Sequence, residues 1–218
     1  QGGCDSIIDS VSLYVHENIR VSYPRQITIC GDETSISIPY TITQGMSAYA
    51  YSLNWNSESI PSDDSLPLPE NNTIVVSLPA PLYPNQYVGR LTVHDSLTYL
   101  APDRISDWSD TVFLSVLYPA SVLAQRWNDI IAMKNTENNG GYSFTNYQWY
   151  RNDELIPGAT NSYLYEEQGL DLTATYAVLV TRPDGVALMT CPFTPTNESY
   201  ADDVPSLLKP NQSILVQG

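Results

Sequence analysis

Histidine and positive charge are scarce in this sequence. Its 218 residues include two histidines, His16 and His94, and nine Lys and Arg stand against 24 Asp and Glu, for a formal charge of −15. A hydrolytic nucleophile needs a base within hydrogen-bond reach, most often histidine, and both histidines fall at the ends of predicted strands. No GxSxG elbow, HExxH helix or phosphate-cradling glycine loop is present, so the common catalytic signatures are missing and the chain is not expected to be an enzyme. A strongly acidic chain repels a phosphate backbone, which argues against nucleic acid as a partner. No apolar run approaches the roughly 18 residues of a membrane span. The three cysteines, Cys4, Cys30 and Cys191, show no CxxC spacing and no histidine neighbours, which argues against zinc. No cofactor is expected.

Long amphipathic helices are also missing, and what fills their place is strand and turn. There are 16 Tyr and 16 Pro, while charged residues make up only 15%, a composition suited to pleated strands broken by turns. Alternating apolar and polar positions predict strands at Ser10 to His16, Ile27 to Cys30, Ser35 to Thr43, Ala48 to Trp55, Thr73 to Leu78, Tyr87 to Val93 and Thr111 to Leu117. Ser57 to Asn72, with Pro61, Pro67 and Pro69, reads as an exposed loop. After Tyr118-Pro119-Ala120 the series restarts, with strands near Val122 to Arg126, Ile130 to Lys134, Tyr142 to Tyr150, Tyr163 to Glu166, Thr175 to Thr181 and Val186 to Cys191. The length fits two domains. The divisions are 1–117, then 118–196, then a linker or tail at 197–218.

The stretch from Tyr147 to Tyr165 organises the second of these. Aromatics around Trp149 precede the turn-forming Arg151 to Glu154, and an apolar run broken by Pro157-Gly158 leads into Tyr163-Leu164-Tyr165. Downstream, Thr173, Ala174 and Tyr176 have the spacing of a tyrosine corner. Val178 holds the place where an antibody-type domain carries a cysteine. Apolar packing of Val178 on a buried Trp149 is therefore expected in place of an inter-sheet disulfide. The fold class that follows is all-β, two tandem immunoglobulin-like β-sandwiches. Cys4 and Cys30 lie in the same predicted domain and form the expected disulfide, the alternative being a partner for Cys4 beyond this chain.

Binding is harder to exclude than catalysis. Tyr49, Tyr51 and Trp55 share a parity on one strand, as do Tyr163 and Tyr165 on another, so each set is expected on one face. Buried, they are core; exposed, they could stack on sugar rings or form a protein hot spot. Asp103, Asp107 and Asp110 could offer oxygens to calcium from one loop, but their spacing departs from the EF-hand pattern and a solvated acidic loop is the plainer reading. Carboxylates for a glycosidase pair exist among Asp63, Asp64, Asp103, Asp107, Asp110, Glu166 and Glu167, yet two small sandwiches rarely enclose a deep cleft.

A family resemblance adds to this. Residues 118–196, with RWNDIIAMKN, NGGYSFTNYQWYRNDELIPGA and TATYAVLV, resemble the immunoglobulin-like module near the C-termini of exported and cell-surface proteins of Bacteroidetes, often just ahead of a type IX secretion sorting domain. GCDSIIDSVSLYV and ITICGDE resemble the closing and opening strands of repeats in such proteins. The resemblance implies that Cys4 closes a preceding module and that this chain is part of a longer polypeptide, secreted or held at the cell surface. The absence of catalytic groupings and the tandem layout point to a structural or adhesive role, with a protein or glycan partner at the cell surface. The alternative is a carbohydrate-binding module accessory to a degradative enzyme.

Overall fold

The computed structural model describes residues 17–45, 48–79, 81–96 and 107–197. The predicted strand at Ser10 to His16, together with Cys4 and Asp103, lies outside them, as does the tail from residue 198. The described residues form two compact units, the first built from those up to Ile27 with those of Ser35–Pro79 and Tyr87–Leu114, the second from Thr28–Thr34, those of Ala80–Gln86 and those from Ser115 to 197.

The first nine strands are β1 (Arg20–Ser22), β2 (Gln26–Cys30), β3 (Ser35–Pro39), β4 (Thr41–Gln44), β5 (Ala48–Trp55), β6 (Asp63–Pro67), β7 (Thr73–Ser77), β8 (Asn85–Asp95) and β9 (Trp108–Leu117). One sheet has the order β2-β9-β8-β5-β6, and the other layer consists of the pairs β3-β7 and β1-β4. Strict alternation sends Ile36 and Ile38 inward from β3, opposite Val76 and Ile74 of β7. Leu53 opposite Leu91 and Tyr51 opposite Val93 supply the other wall. Proline cannot donate to a ladder, and at Pro39 the strand changes partner, from β7 to β1. Trp55 is buried opposite Gly89, where a Cβ would come within 2.9 Å of the indole; a side chain there would displace the ring.

The expected loop from Ser57 to Asn72 contains a strand, β6. It is polar and almost wholly exposed, so it carries none of the hydrophobic alternation by which strands are read. β1 is likewise too short to leave a pattern.

The second unit adds β10 (Leu123–Arg126), β11 (Ile130–Met133), β12 (Asn146–Arg151), β13 (Glu154–Leu155), β14 (Tyr163–Tyr165), β15 (Tyr176–Thr181) and β16 (Ala187–Met189). They form two sheets, β10-β11-β14 and β13-β12-β15-β16. Trp149 is fully buried, sits directly opposite Val178 and donates its indole N–H to Asn161 O at 2.9 Å. Around it pack Ile131, Leu164, Leu170, Val180 and Leu188. The Tyr176 hydroxyl accepts the Asp171 backbone N–H at 3.0 Å, the hydrogen bond that defines a tyrosine corner. The β12–β13 hairpin turns on Asn152 and Asp153, both at positive φ, as a two-residue primed turn requires. The protein is all-β, and its fold is the immunoglobulin-like β-sandwich.

The cysteines correct an expectation. Cys30 is bonded to Cys191, not to Cys4. Both partners belong to the second unit, because the segment Thr28–Thr34 folds with the later part of the chain. Membership of a predicted domain was the wrong guide; three-dimensional proximity overrides a sequence separation of 161. Among the described residues, no helix is long and apolar enough to cross a membrane.

Candidate functional site

The described residues hold two arrangements of interest, one in each unit. In the first unit, Ser52 Oγ lies 2.7 Å from His94 Nε2, and His94 Nδ1 lies 2.8 Å from Asp107 Oδ2. The other Asp107 oxygen accepts the Asp95 backbone N–H at 3.0 Å. This is the connectivity of a hydrolytic triad, nucleophile to base to orienting carboxylate. It was not legible in the sequence, because Ser52 and His94 meet only through the register of β5 against β8.

The surroundings of Ser52 differ from those of a working nucleophile. The residue is 4% exposed in the middle of a strand. Its oxygen accepts the Ser65 N–H at 2.9 Å, and its one proton is contested by Asp64 Oδ1 at 3.1 Å. Ser65 itself stands at φ 53°, within a bulge where the β5–β6 register shifts between Tyr51 and Leu53. Bulges re-aim side chains, and this one turns Asp64 and the Ser65 amide toward Ser52. The four side chains clamp β5, β6, β8 and the residue preceding β9 to one another.

The predicted binding residues separate. Tyr49 is exposed, whereas Tyr51 and Trp55 are buried, so the expected shared face of Tyr49, Tyr51 and Trp55 does not exist. The physical reason is a register shift between Ala48 and Ala50, which breaks the period of two that the parity argument assumes. Burial, and then the Asp63 charge, raises the Tyr51 phenol above its ordinary pKa, consistent with a core residue. Of the proposed calcium ligands, Asp107 is committed to His94 and Asp95, and Asp110 pairs with Arg25 while accepting the Thr111 N–H. No group of three or more metal-ligating side chains occurs among the described residues.

Tyr163 and Tyr165 do share a face, and it is open: they are 49% and 54% exposed, with Leu164 buried between them. They stand on the outside of the β10-β11-β14 sheet. Cross-strand register lays this face out as rows, Ala124 beside Ala132 beside Tyr163, then Arg126 beside Ile130 beside Tyr165. Lys134, two residues beyond Ala132, continues the central column as β11 ends. A shallow open groove along the Tyr163–Tyr165 side is lined also by Ile130, Ile156, Pro157 and Glu166. A second, by Ala124, Ala132, Arg126 and Lys134, occupies the other side. Glu166 lies 3.8 Å from the Arg151 guanidinium; neither Arg126 nor Lys134 makes an ion pair with another described residue.

Trp127 is a residue that sequence reasoning missed. It opens the three-residue turn between Arg126 and Ile130, is 46% exposed and holds φ at 58°. Left-handed backbone is unusual for a bulky side chain and costs about 1–3 kcal/mol. Glycine or asparagine would serve the turn better.

No family model matches the sequence, and no curated protein does. Solved structures that are similar include a crystal structure of titin domains, with 14% identity, a TM-score of 0.32, and coverage of 84% of this chain and 66% of that one. The Sidekick-1 immunoglobulin domains follow at 13% identity and a TM-score of 0.28, covering 84% of this chain and 49% of theirs. An α-L-rhamnosidase from Aspergillus terreus gives 14% identity and a TM-score of 0.34, covering 79% of this chain and 28% of the enzyme. This chain thus spans 66% or less of the length of each. Likeness at this level concerns fold alone.

Proposed function

We propose that this chain is a non-catalytic interaction module of a longer exported protein, serving as a structural or adhesive element at the cell surface. The observation that carries the reading is where the polar and aromatic groups lie. Among the described residues, the one chain of catalytic residue types, Ser52–His94–Asp107, is spent on holding strands together around a buried, fully engaged hydroxyl. The open face of β10-β11-β14 instead presents aromatics and cations to solvent. Export is supported by the Cys30–Cys191 disulfide, a bond that persists in oxidising compartments, and by the sequence resemblance to Bacteroidetes surface modules. The test is covalent labelling with a fluorophosphonate probe, with Ser52→Ala as control. No adduct is expected. A stoichiometric adduct at Ser52, absent from the control, would show that the triad works and would overturn the reading.

A second reading, a carbohydrate-binding module attached to a degradative enzyme, is favoured by one feature, the exposed Tyr163 and Tyr165 on a single flat face.

A further inference from the structure

We infer that the outer face of β10-β11-β14 is a binding site for an acidic saccharide, a chain of sugar rings bearing carboxylates. This rests on the reading of the chain as an interaction module and names the class of its partner.

The face has three components, and each selects a different part of such a ligand. Tyr163 and Tyr165 are alternate residues of one strand, so their rings leave the sheet about 6.8 Å apart. The flat C–H face of a sugar ring makes dispersion contact with an aromatic ring. Ala124 and Ala132 lie beside Tyr163 as a floor, too short to obstruct a ligand lying flat. Arg126 stands two strands from Tyr165, about 10 Å across the sheet at ordinary strand spacing, with Ile130 between them. Arg126 and Lys134 have no carboxylate partner among the described residues, whereas Arg25, Arg151 and Arg182 each have one. Two such cations offer a ligand carboxylate charge-assisted hydrogen bonds. A neutral saccharide would leave both unused.

An extended peptide fits this face less well. Peptides are bound by adding main-chain hydrogen bonds at a sheet edge, but β11, the centre of the face, already has β10 and β14 on its two sides, so only side chains can read a ligand there. The net charge of −15 does not decide against an anion, because charges further away than about 8 Å are screened at physiological salt. Glu166, the carboxylate lining the groove, is offset by Arg151.

Trp127 is an independent observation at the end of this sheet. It adjoins Arg126 at the hairpin tip, exposed and in a conformation that disfavours it. The backbone there disfavours a bulky residue, and an exposed ring next to Arg126 is available to extend a stacking surface.

The experiment is calorimetric titration of the whole chain, at physiological salt, with oligogalacturonate and oligoalginate, set against neutral cello-oligosaccharide and polyglutamate. Binding of at least one acidic saccharide, and of neither comparison ligand, is expected. Arg126→Ala, Lys134→Ala and the pair Tyr163→Ala/Tyr165→Ala should each weaken it about tenfold. Trp127→Gly should weaken binding while raising the unfolding temperature, which separates loss of a contact from loss of the fold. Absence of acidic-saccharide binding overturns the proposal. So does binding that the cation variants abolish and the tyrosine variants leave unchanged, which is ion pairing alone. Equal binding of the neutral sugar, or binding of polyglutamate instead, also overturns it but leaves the interaction-module reading standing; that reading fails on Ser52 labelling, a separate measurement.

Discussion

Arg182 shows how much a single side chain carries in the second unit. It is 8% exposed, and its guanidinium donates to Pro84 O at 2.8 Å and grips Asp184 through Nε and a terminal nitrogen at 3.2 and 3.0 Å. It also lies 5.2 Å from the centre of the Tyr83 ring. Arginine suits this place because its planar fork serves two acceptors and a ring face at once. Arg182→Ala removes all of these and leaves the Pro84 carbonyl without its donor. A loss of about 2–4 kcal/mol is expected in urea unfolding; a loss below about 0.5 kcal/mol would mean that water replaces the guanidinium. The same pairing acts on acid stability. The hydrogen bond from Arg182, then that from the Val186 amide, holds Asp184 below the usual carboxylate range. A folded-state pKa below the unfolded one gives stability that is present above the unfolded value and lost as pH falls through the folded one. Asp184→Asn should therefore flatten the acid limb of the stability profile while leaving its slope near neutrality unchanged.

Between elements, the covalent tie is the Cys30–Cys191 bond, from the end of β2 to just beyond β16. It closes a loop of 161 residues, and restricting so long a loop in the unfolded chain stabilises a native disulfide by about 4–5 kcal/mol in the chain-entropy picture. Reduction, or Cys30→Ser with Cys191→Ser, should lower the urea midpoint accordingly, and the first unit's buried residues offer a control. If Trp55 fluorescence reports the whole loss and Trp149 reports none, the bond stabilises something other than the unit that contains it.

The elements also show what a sequence discloses at this scale. β3, β7, β12 and β15 were legible because one face is buried and hydrophobicity alternates or runs continuously along them. Trp149 against Val178 and the Tyr176 corner were legible because their spacing is local to neighbouring strands. β6 was not, since Asp63–Pro67 has no buried face from which to read a period. The shift that separates Tyr49 from Tyr51 was hidden because a bulge is a property of two strands, not of one. For the same reason neither the Ser52–His94–Asp107 chain nor the rows joining Arg126, Ile130 and Tyr165 could be seen before register was known. What sequence patterns convey is which face of an element is buried; sites are built from residues on different elements, and those need the pairing.

For the whole molecule the governing quantity is charge, and its effect depends on the size of what approaches. A short oligosaccharide on the β10-β11-β14 face samples chiefly the charges within a Debye length, Arg126 and Lys134 prominent among them. Duplex DNA carries a charge about every 1.7 Å along its axis and meets the protein over a far larger area, so it encounters the balance of 24 acidic and nine basic residues. Lowering the salt lengthens the screening distance and brings more of that acidic surface into play. The two ligands should therefore part company as salt is lowered. Duplex DNA should show no mobility shift at any ionic strength, while acidic-saccharide binding, present at physiological salt, should weaken toward low salt as the rest of the molecule makes itself felt. This is the reverse of the usual behaviour of a cationic site. Saccharide binding that strengthens steeply on dilution of salt would mean that the cations of this face, and not the net charge, dominate the field that a short ligand meets.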